Sequence, residues 1–392
     1  MFQGSTDVRV EGAYDLSAAL EGARAEAGLR DFGDDAFLEP LEMLLRCVRA
    51  DVPFSEMGLA NFKATVQRFL VNRLRLQRDV AAHPEILDED VSDPIVILGM
   101  PRTGTTKLQR LVSADPRMQK LALWRLLNPA PFDDEKPGSP AGRLAFARIV
   151  EAATRANPAF TAAHETAAEE ADEDSFLALM SFDYVMLYCI FPSPSYLAWV
   201  RARPQREAHR FERRLLQYLQ WQDGGKRGRR WVLKNPGAIG FLEPLHEVFP
   251  SATYVHAHRD MTEVIPSYCR LMEAIQQPLL RHLDPHTLGR DVLAYWVPEV
   301  ARYHAARRGL GPRIDVLDVA YGDVVAEPID LVRTIYERAG VPWTQDAIRA
   351  MQAWSDANRQ YKHGRLDYSP ERYGLTAQMI RDAFGGSTAT SR

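Results

Sequence analysis

The feature that most constrains this sequence is a short apolar segment followed at once by a glycine-containing turn and a helical pattern. Ile95-Val96-Ile97-Leu98 is mainly β-branched, and Asp93-Pro94 precedes it. Such a run, bounded by turn-forming residues, predicts a strand that is buried on both faces. The turn at 99–106 reads GMPRTGTT, and helical spacing resumes directly after it in KLQRLVSA. The segment therefore predicts a strand, a tight turn and a helix in immediate succession.

The turn has the glycine spacing of a phosphate-binding loop, Gly99-x-x-x-x-Gly104-Thr105-Thr106. Backbone N–H groups of such a turn and the positive end of the following helix converge on one anion. Arg102 adds a planar guanidinium, and the threonines add hydroxyl donors. Thr105 stands where nucleoside triphosphatases carry a lysine for the β- and γ-phosphates, which argues against a triphosphate site with obligatory Mg²⁺. The alternative interpretation is an ordinary strand-to-helix turn.

Further short strand patterns alternate with helical patterns along the rest of the chain. Strands are predicted at 231–233, 252–257 and 314–319, and helices from about Thr262 and at 328–339. Because such alternation implies crossover connections, we expect an α/β fold with a central, mainly parallel sheet in a P-loop NTPase-like three-layer arrangement. The predicted divisions are a helical N-terminal region at 1–92, the α/β domain at 93–380 with a helical insert at about 140–225, and a tail at 381–392.

A second anion site is predicted where the strand at 252–257 ends. Arg259 follows that strand at the carboxyl edge of the sheet, where open α/β sheets bind ligands. Ser267 lies eight residues further on, one or two turns into the next helix, so its hydroxyl can face the same anion. The alternative for Arg259 is an ordinary ion pair with Asp260 or Glu263.

Composition restricts the partners of the chain. Its 392 residues carry 48 Lys and Arg against 52 Asp and Glu, a net charge of −4, which disfavours a general nucleic-acid or anionic-membrane binder. No apolar stretch is long enough to cross a membrane, and three widely spaced cysteines fit free thiols in a reducing compartment. We therefore expect a cytoplasmic protein without a metal site, and the sequence does not indicate its oligomeric state.

Three groups of residues together resemble the signature set of sulfotransferases that use 3′-phosphoadenosine 5′-phosphosulfate. These are the GMPRTGTT turn, Leu233-Lys234-Asn235-Pro236, and the Arg259…Ser267 pair. The arginine form of the loop is most similar to bacterial sulfotransferases of mycobacterial type, and more distantly to protein-tyrosine sulfotransferases. The resemblance covers roughly residues 93–380, including His164-Glu165, the acids that follow, and the Asp367-Tyr368-Ser369 segment.

The resemblance implies a role for each matching residue. The 5′-phosphosulfate group is expected on the turn, and the 3′-phosphate on Arg259 and Ser267. Lys234 is expected at the transferring sulfuryl group or the bridging oxygen. No metal is required, and the product is adenosine 3′,5′-bisphosphate. The turn residues with this role are Arg102, Thr103, Gly104, Thr105 and Thr106.

The general base is the least determined part of the predicted site. In the tyrosine-directed relatives a glutamate follows the loop helix, whereas here residues 121–125 read LALWR and contain no acid. The pair His164 and Glu165 in the insert is the first candidate, since a histidine near neutral pKa suits proton removal from an alcohol or phenol. Acidic runs such as the one at 169–174 are usually solvated, and Glu173 within it is the reserve candidate.

The function predicted from these residues is transfer of a sulfuryl group to a hydroxyl, or an amine, of a small and partly apolar acceptor. One alternative is a P-loop kinase-like phosphotransferase, against which the absent loop lysine argues. The other is a non-catalytic nucleotide-binding protein of the same fold, which the missing glutamate after the loop helix leaves open.

Overall fold

A computed structural model describes residues 14–136, 138–225, 229–358 and 369–385 of the chain. Its centre is a five-stranded sheet in which all four strand pairings are parallel, in the order β2-β3-β1-β4-β5. This confirms the predicted α/β fold with a mainly parallel sheet. The strands are β1 (Ile95–Leu98), β2 (Met118–Lys120), β3 (Arg230–Lys234), β4 (Thr253–His258) and β5 (Val316–Ala320).

Helices cover both faces of the sheet, as the side chains of β1 demonstrate. Ile95 and Ile97 pack into a core with the helices on one face, whereas Val96 and Leu98 belong to a larger core on the other. Because successive side chains of a strand point to opposite faces, the apolar run of β1 fills both cores. The smaller core contains helices α4 (Thr105–Ser113), α16 (Pro328–Ala339) and α17 (Gln345–Ala357).

The N-terminal helical region packs against the larger core. Its longest helix begins after Ser55, whose hydroxyl accepts the N–H of Gly58, and it ends at His83 because Pro84 follows. The apolar stripe predicted for this helix is buried, with Val66 and Leu70 at most 1% exposed. The three helices are α1 (Leu16–Ala27), α2 (Leu38–Asp51) and α3 (Glu56–Ala82).

A helical segment lies between β2 and β3, in agreement with the predicted insert. Most of its helices are short. The two longer ones are the helix that begins at Ala141 and the last helix, which begins at Arg206. The apolar face of the last helix packs into the larger core. The helices of this segment are α5 (Leu123–Leu127), α6 (Ala141–Arg155), α7 (Pro158–Ala163), α8 (Ser175–Leu179), α9 (Leu187–Ile190), α10 (Pro194–Arg201) and α11 (Arg206–Gln222).

The remaining helices follow β3, β4 and β5. The last one continues to Gly385, past residue 380 where the predicted domain ends. Residues 1–13, 359–368 and 386–392, and with them Asp367 and Tyr368 of the resemblance, lie outside the described residues. The helices are α12 (Leu242–Val248), α13 (Met261–Gln276), α14 (Pro285–Leu310), α15 (Tyr321–Ala326) and α18 (Ala377–Gly385).

Candidate active site

The turn after β1 adopts a backbone conformation that explains its glycines. Gly99, Arg102 and Gly104 have φ values of 138°, 77° and 90°. A Cβ atom on Gly99 would lie 2.4 Å from the carbonyl oxygen of Ala257 in β4, so only glycine fits there. Arg102 is a non-glycine residue in the left-handed region, a conformation that is often kept at ligand sites. The turn is therefore held tightly against the neighbouring strand.

The helix after the turn presents its N-terminus to the site. Gly104 occupies the N-cap position and carries no side chain that could cap the first N–H groups of α4. The Thr103 hydroxyl donates a hydrogen bond of 2.7 Å to the carbonyl of Met100 and is buried, so this side chain stabilises the turn itself. The exposed N–H groups at the positive end of the helix are suited to an anion.

The two anion sites predicted from separate sequence motifs are in contact. Arg102 Nε donates a hydrogen bond of 2.9 Å to Ser267 Oγ, and Arg259 donates one of 3.2 Å to the Arg102 carbonyl. The Arg259 guanidinium lies 4.1 Å from the centre of the Tyr321 ring. Arg259 also pairs with the exposed carboxylate of Glu263, the alternative partner predicted from the sequence. The arrangement forms one continuous positive surface rather than two distant sites.

Lys234 joins this surface to the insert. It is the last residue of β3, and its side chain is 1% exposed. Its Nζ atom lies 2.7 Å from Glu173 Oε1 and 3.4 Å from Thr106 Oγ1 in the first turn of α4. The strand end, the loop helix and an acid of the insert therefore meet at one ammonium group.

His164 contacts a buried carboxylate next to Glu173. Its Nε2 atom lies 3.2 Å from Asp172 Oδ2. Burial alone would raise the pKa of Asp172, but the positive charges of His164, Lys234 and Arg110 outweigh it and hold that pKa well below its usual range. The Asp172 carboxylate is therefore ionised and fixes the orientation of the His164 ring.

Glu165 is directed to a different partner. Arg110 of α4 donates to the Glu165 carboxylate at 3.3 Å and to its backbone carbonyl at 2.8 Å, and a third bond reaches the carbonyl of Ala171. These contacts attach the insert to the loop helix. The structure thus brings Arg102, Lys234, Arg259 and Ser267 together and gives Glu165 a contact that secures the insert.

The acidic run at 169–174 was expected to be a solvated face, and for part of it this expectation is wrong. Asp172 is 2% exposed and Asp174 is 1% exposed, whereas Glu169 has a 65% exposed side chain paired with Arg148. Sequence reasoning missed Asp174 as a site residue because a run of acids carries no signal of which members face inward. The Asp174 carboxylate accepts the backbone N–H of Lys234.

Two features are absent from the described residues. Within residues 14–136, 138–225, 229–358 and 369–385, no group of three or more His, Cys, Asp or Glu side chains is arranged to hold a metal ion. No helix in the part of the chain that the structure describes has the length and apolar character needed to cross a membrane.

Comparison with known proteins agrees with this geometry. Residues 94–345, more than half of the chain, match the sequence profile of the sulfotransferase family. The chain belongs to the sulfotransferase family. This confirms the predicted family and enzyme class, and it favours sulfuryl transfer over the kinase-like alternative.

Curated sulfotransferases and solved structures extend the match beyond the profile. The omega-hydroxy-beta-dihydromenaquinone-9 sulfotransferase Stf3 of Mycobacterium bovis, and that of Mycobacterium tuberculosis, are 26% identical over 298 residues, which is 73% of this chain and 71% of each relative. The crystal structure of sulfotransferase STF1 from M. tuberculosis has a TM-score of 0.80 at 28% identity and covers 96% of this chain and 100% of that one. Sulfotransferase STF9 from Mycobacterium avium has a TM-score of 0.83 at 26% identity, over 98% and 97% of the two chains. The likeness to mycobacterial enzymes is therefore nearly full-length.

Proposed function

We propose that this sulfotransferase takes its sulfuryl group from 3′-phosphoadenosine 5′-phosphosulfate and transfers it to a hydroxyl of a small, partly apolar acceptor. The observation that carries the choice of donor is the hydrogen bond between Arg102 and Ser267. It joins the loop and the α13 helix into one surface on which the guanidinium groups of Arg102 and Arg259 lie close together. A nucleotide that is phosphorylated at two separate positions matches such a surface.

The residues divide between the two ends of this donor. The turn, with Arg102, Thr103 through Thr106 and the N-terminus of α4, would hold the 5′-phosphosulfate. Ser267 and Arg259 would hold the 3′-phosphate, and the Arg259 guanidinium would exchange its exposed partner Glu263 for a phosphate oxygen. Such an exchange is favourable because exposed ion pairs contribute little and a guanidinium binds phosphate in a planar fork.

In the transfer step, the acceptor oxygen forms a bond to sulfur while the bond from sulfur to the bridging phosphate oxygen breaks. Negative charge grows on the leaving phosphate, and the acceptor hydroxyl loses its proton to a base. Lys234 would donate from Nζ to the bridging oxygen, and its contact with Thr106, in the helix that would bind that phosphate, supports this role. Catalysis of this kind is mostly positioning and electrostatic stabilisation.

For the base we propose Glu173 in preference to His164 and Glu165. Its carboxylate is half-buried and lies 2.7 Å from Lys234 Nζ, so an acceptor hydroxyl brought to the sulfuryl group would reach it. His164 is one step further away, bonded to Asp172, and Glu165 is bonded to Arg110. An oxygen of Glu173 taking the proton also leaves the ammonium of Lys234 free to follow the leaving group.

The acceptor class rests on the surroundings of Glu173 and on the named relative. The charge of Glu173 adds to the burial that raises the pKa of Tyr268, and Tyr268 lines a narrow cleft with Tyr188, Met272 and Tyr295. The name of the Stf3 relatives describes an omega-hydroxy group on a menaquinone, which is a hydroxyl on an apolar molecule.

Thermal unfolding with three ligands tests the donor. Adenosine 3′,5′-bisphosphate, AMP and Mg·ATP are each added to the wild-type enzyme, and a ligand at a hundred times its Kd adds about 2.7 kcal/mol of stability. We expect stabilisation by the bisphosphate far above that by AMP. Equal responses would remove the 3′-phosphate role of Arg259 and Ser267, and a response to Mg·ATP alone would indicate a kinase-like protein.

Steady-state kinetics with a panel of alcohols and phenols test the base. Glu173→Gln is expected to lower kcat by about 10²- to 10⁴-fold, and His164→Asn by less than about tenfold. Glu169→Gln, an exposed acid of the same run, serves as the control. The reverse order of the first two variants would assign the proton to His164. Bisphosphate binding without turnover on any acceptor favours the non-catalytic alternative.

A further inference from the structure

A cluster of buried ionisable side chains lies directly behind Lys234. Asp174, His209 and Glu212 are at most 1% exposed, as are Asn235 and Lys234. Burying charged groups is costly unless each of them has a partner of the right kind. Contacts within this cluster therefore have to offset the cost of burying these groups beside the site.

Asp174 binds two consecutive residues at the end of β3. One carboxylate oxygen accepts the backbone N–H of Lys234, and the other accepts the side-chain amide of Asn235 at 2.9 Å. The Asn235 oxygen in turn accepts the Tyr184 hydroxyl at 2.5 Å and the N–H of Ala238 at 3.2 Å. These bonds fix the backbone from which the Lys234 side chain extends.

Asp174 also determines where Glu173 lies. The two residues are adjacent, and Glu173 contacts Lys234 Nζ at 2.7 Å while Asp174 contacts the Lys234 backbone. The acidic run therefore binds both the backbone N–H and the side-chain ammonium of Lys234. A change at Asp174 would shift the Glu173 carboxylate and the Lys234 ammonium relative to each other.

Glu212 of α11 supports Asp174 from behind. Burial and the neighbouring Glu212 carboxyl raise the pKa of Asp174 well above its ordinary value, and burial raises the pKa of Glu212 to about 7, so the two groups retain a proton in the native state. Glu212 Oε2 lies 3.0 Å from His209 Nδ1 within the same buried cluster.

We propose that Asp174 and Glu212 form a positioning pair, held by His209, that fixes Lys234 against Glu173 for the transfer step. The proposal rests on the proposed function, because it assigns the reacting groups to Lys234 and Glu173. Neither Asp174 nor Glu212 touches substrate in this scheme. Both act by holding other residues.

Two isosteric variants test the positioning pair. Asp174→Asn turns an acceptor toward Asn235 into a donor, and we expect kcat to fall at least 30-fold, with the KM for the donor and the affinity for adenosine 3′,5′-bisphosphate within threefold. Glu212→Gln keeps a neutral donor to Asp174 and an acceptor for His209, so kcat should stay within threefold of wild type. Equal losses in both variants, or a larger loss in Glu212→Gln, would overturn the proposal.

Two further measurements cover a folding defect and a failure of the proposed function. If Asp174→Asn does not fold, Glu212→Ala takes its place, because it removes the donor to Asp174. Its kcat should fall at least tenfold, while that of Glu212→Gln stays near wild type. Equal activity of wild type, Glu212→Ala and Glu212→Gln refutes the pair. Crystal structures of the variants need no activity. The 2.7 Å contact between Lys234 and Glu173 should be lost in Asp174→Asn and kept in Glu212→Gln, and its survival in both refutes the pair even if the wild type transfers no sulfuryl group.

Discussion

The proton on Glu212 gives the fold a pH dependence that a single substitution should remove. Burial raises the pKa of Glu212 to about 7, from 4.5 for an exposed glutamate. The native state therefore retains a proton that the unfolded chain has already lost near pH 5. Since Glu212 binds fewer protons in the unfolded state in this range, its contribution to the free energy of unfolding falls as pH rises from about 4.5 through 7.

The size of this effect follows from the two pKa values. One proton difference changes stability by about 1.4 kcal/mol per pH unit, and integration between pH 5 and pH 8 gives about 2.5 kcal/mol. Burial lowers the pKa of His209 to about 4 and raises that of Asp174, so both groups also bind different numbers of protons in the native and unfolded states. Both groups are still present in Glu212→Gln, so their contributions cancel when the variant is compared with wild type. Glu212→Gln cannot ionise, so its stability relative to wild type should rise by about 2.5 kcal/mol across that range.

Urea unfolding followed by tryptophan fluorescence at pH 5, 6, 7 and 8 measures this difference. Glu207→Gln on the same helix is the control, because Glu207 is 51% exposed and pairs with Arg210 at the surface. Its curve should run parallel to that of wild type. If the Glu212→Gln curve is parallel as well, the native state holds no additional proton and the reasoning about the buried pair is refuted.

Three other substitutions test the site. Gly99→Ala should destabilise the protein by roughly 1–3 kcal/mol and abolish bisphosphate binding, because its Cβ would meet Ala257. The control is Gly224→Ala, which is also at positive φ but has open space around the added Cβ. Calorimetric titration should show unchanged bisphosphate binding in this control. Ser267→Ala should weaken bisphosphate binding by about 10- to 100-fold without affecting AMP, as expected for a lost hydrogen bond to a charged group; equal weakening of both ligands would contradict that role. Arg110→Met should raise the acceptor KM at unchanged bisphosphate affinity in steady-state assays, because three bonds that secure the insert are lost.

Much of the fold follows from local patterns in the sequence. The apolar run of β1 and the alternation of strands and helices predicted the parallel sheet because burial on both faces leaves a clear compositional mark. The edge strand β2 was missed because Met118-Gln119-Lys120 has no such mark. Its extended form depends on parallel pairing with β3, more than a hundred residues away in the chain. Pairing over that separation has no local signal.

The sequence also predicts one half of the site, the loop with the Arg259…Ser267 pair, better than the other half, which the insert forms. The loop and the Arg259…Ser267 pair were predictable because a fixed spacing places each of them at a strand end. The partners of the insert were not predictable, since Asp172 and Asp174 turn inward only when the insert packs on the strand ends. An acidic run reads as solvated unless the surface that it faces is known.

The acidic run also limits how the insert can vary. Asp172, Glu173 and Asp174 each serve a different partner, namely His164, the ammonium of Lys234, and the backbone of Lys234. Deleting one residue just before them would bring Glu173 to His164, Asp174 to the ammonium of Lys234 and Ser175 to its backbone, so the third partner would lose its carboxylate. A length change further from these three residues, for example between α6 and α7, leaves their order relative to the three partners unchanged. The position of these three residues along the chain therefore has to be kept. Chimeras that exchange acceptor-binding segments between relatives should have their junctions outside residues 172–174.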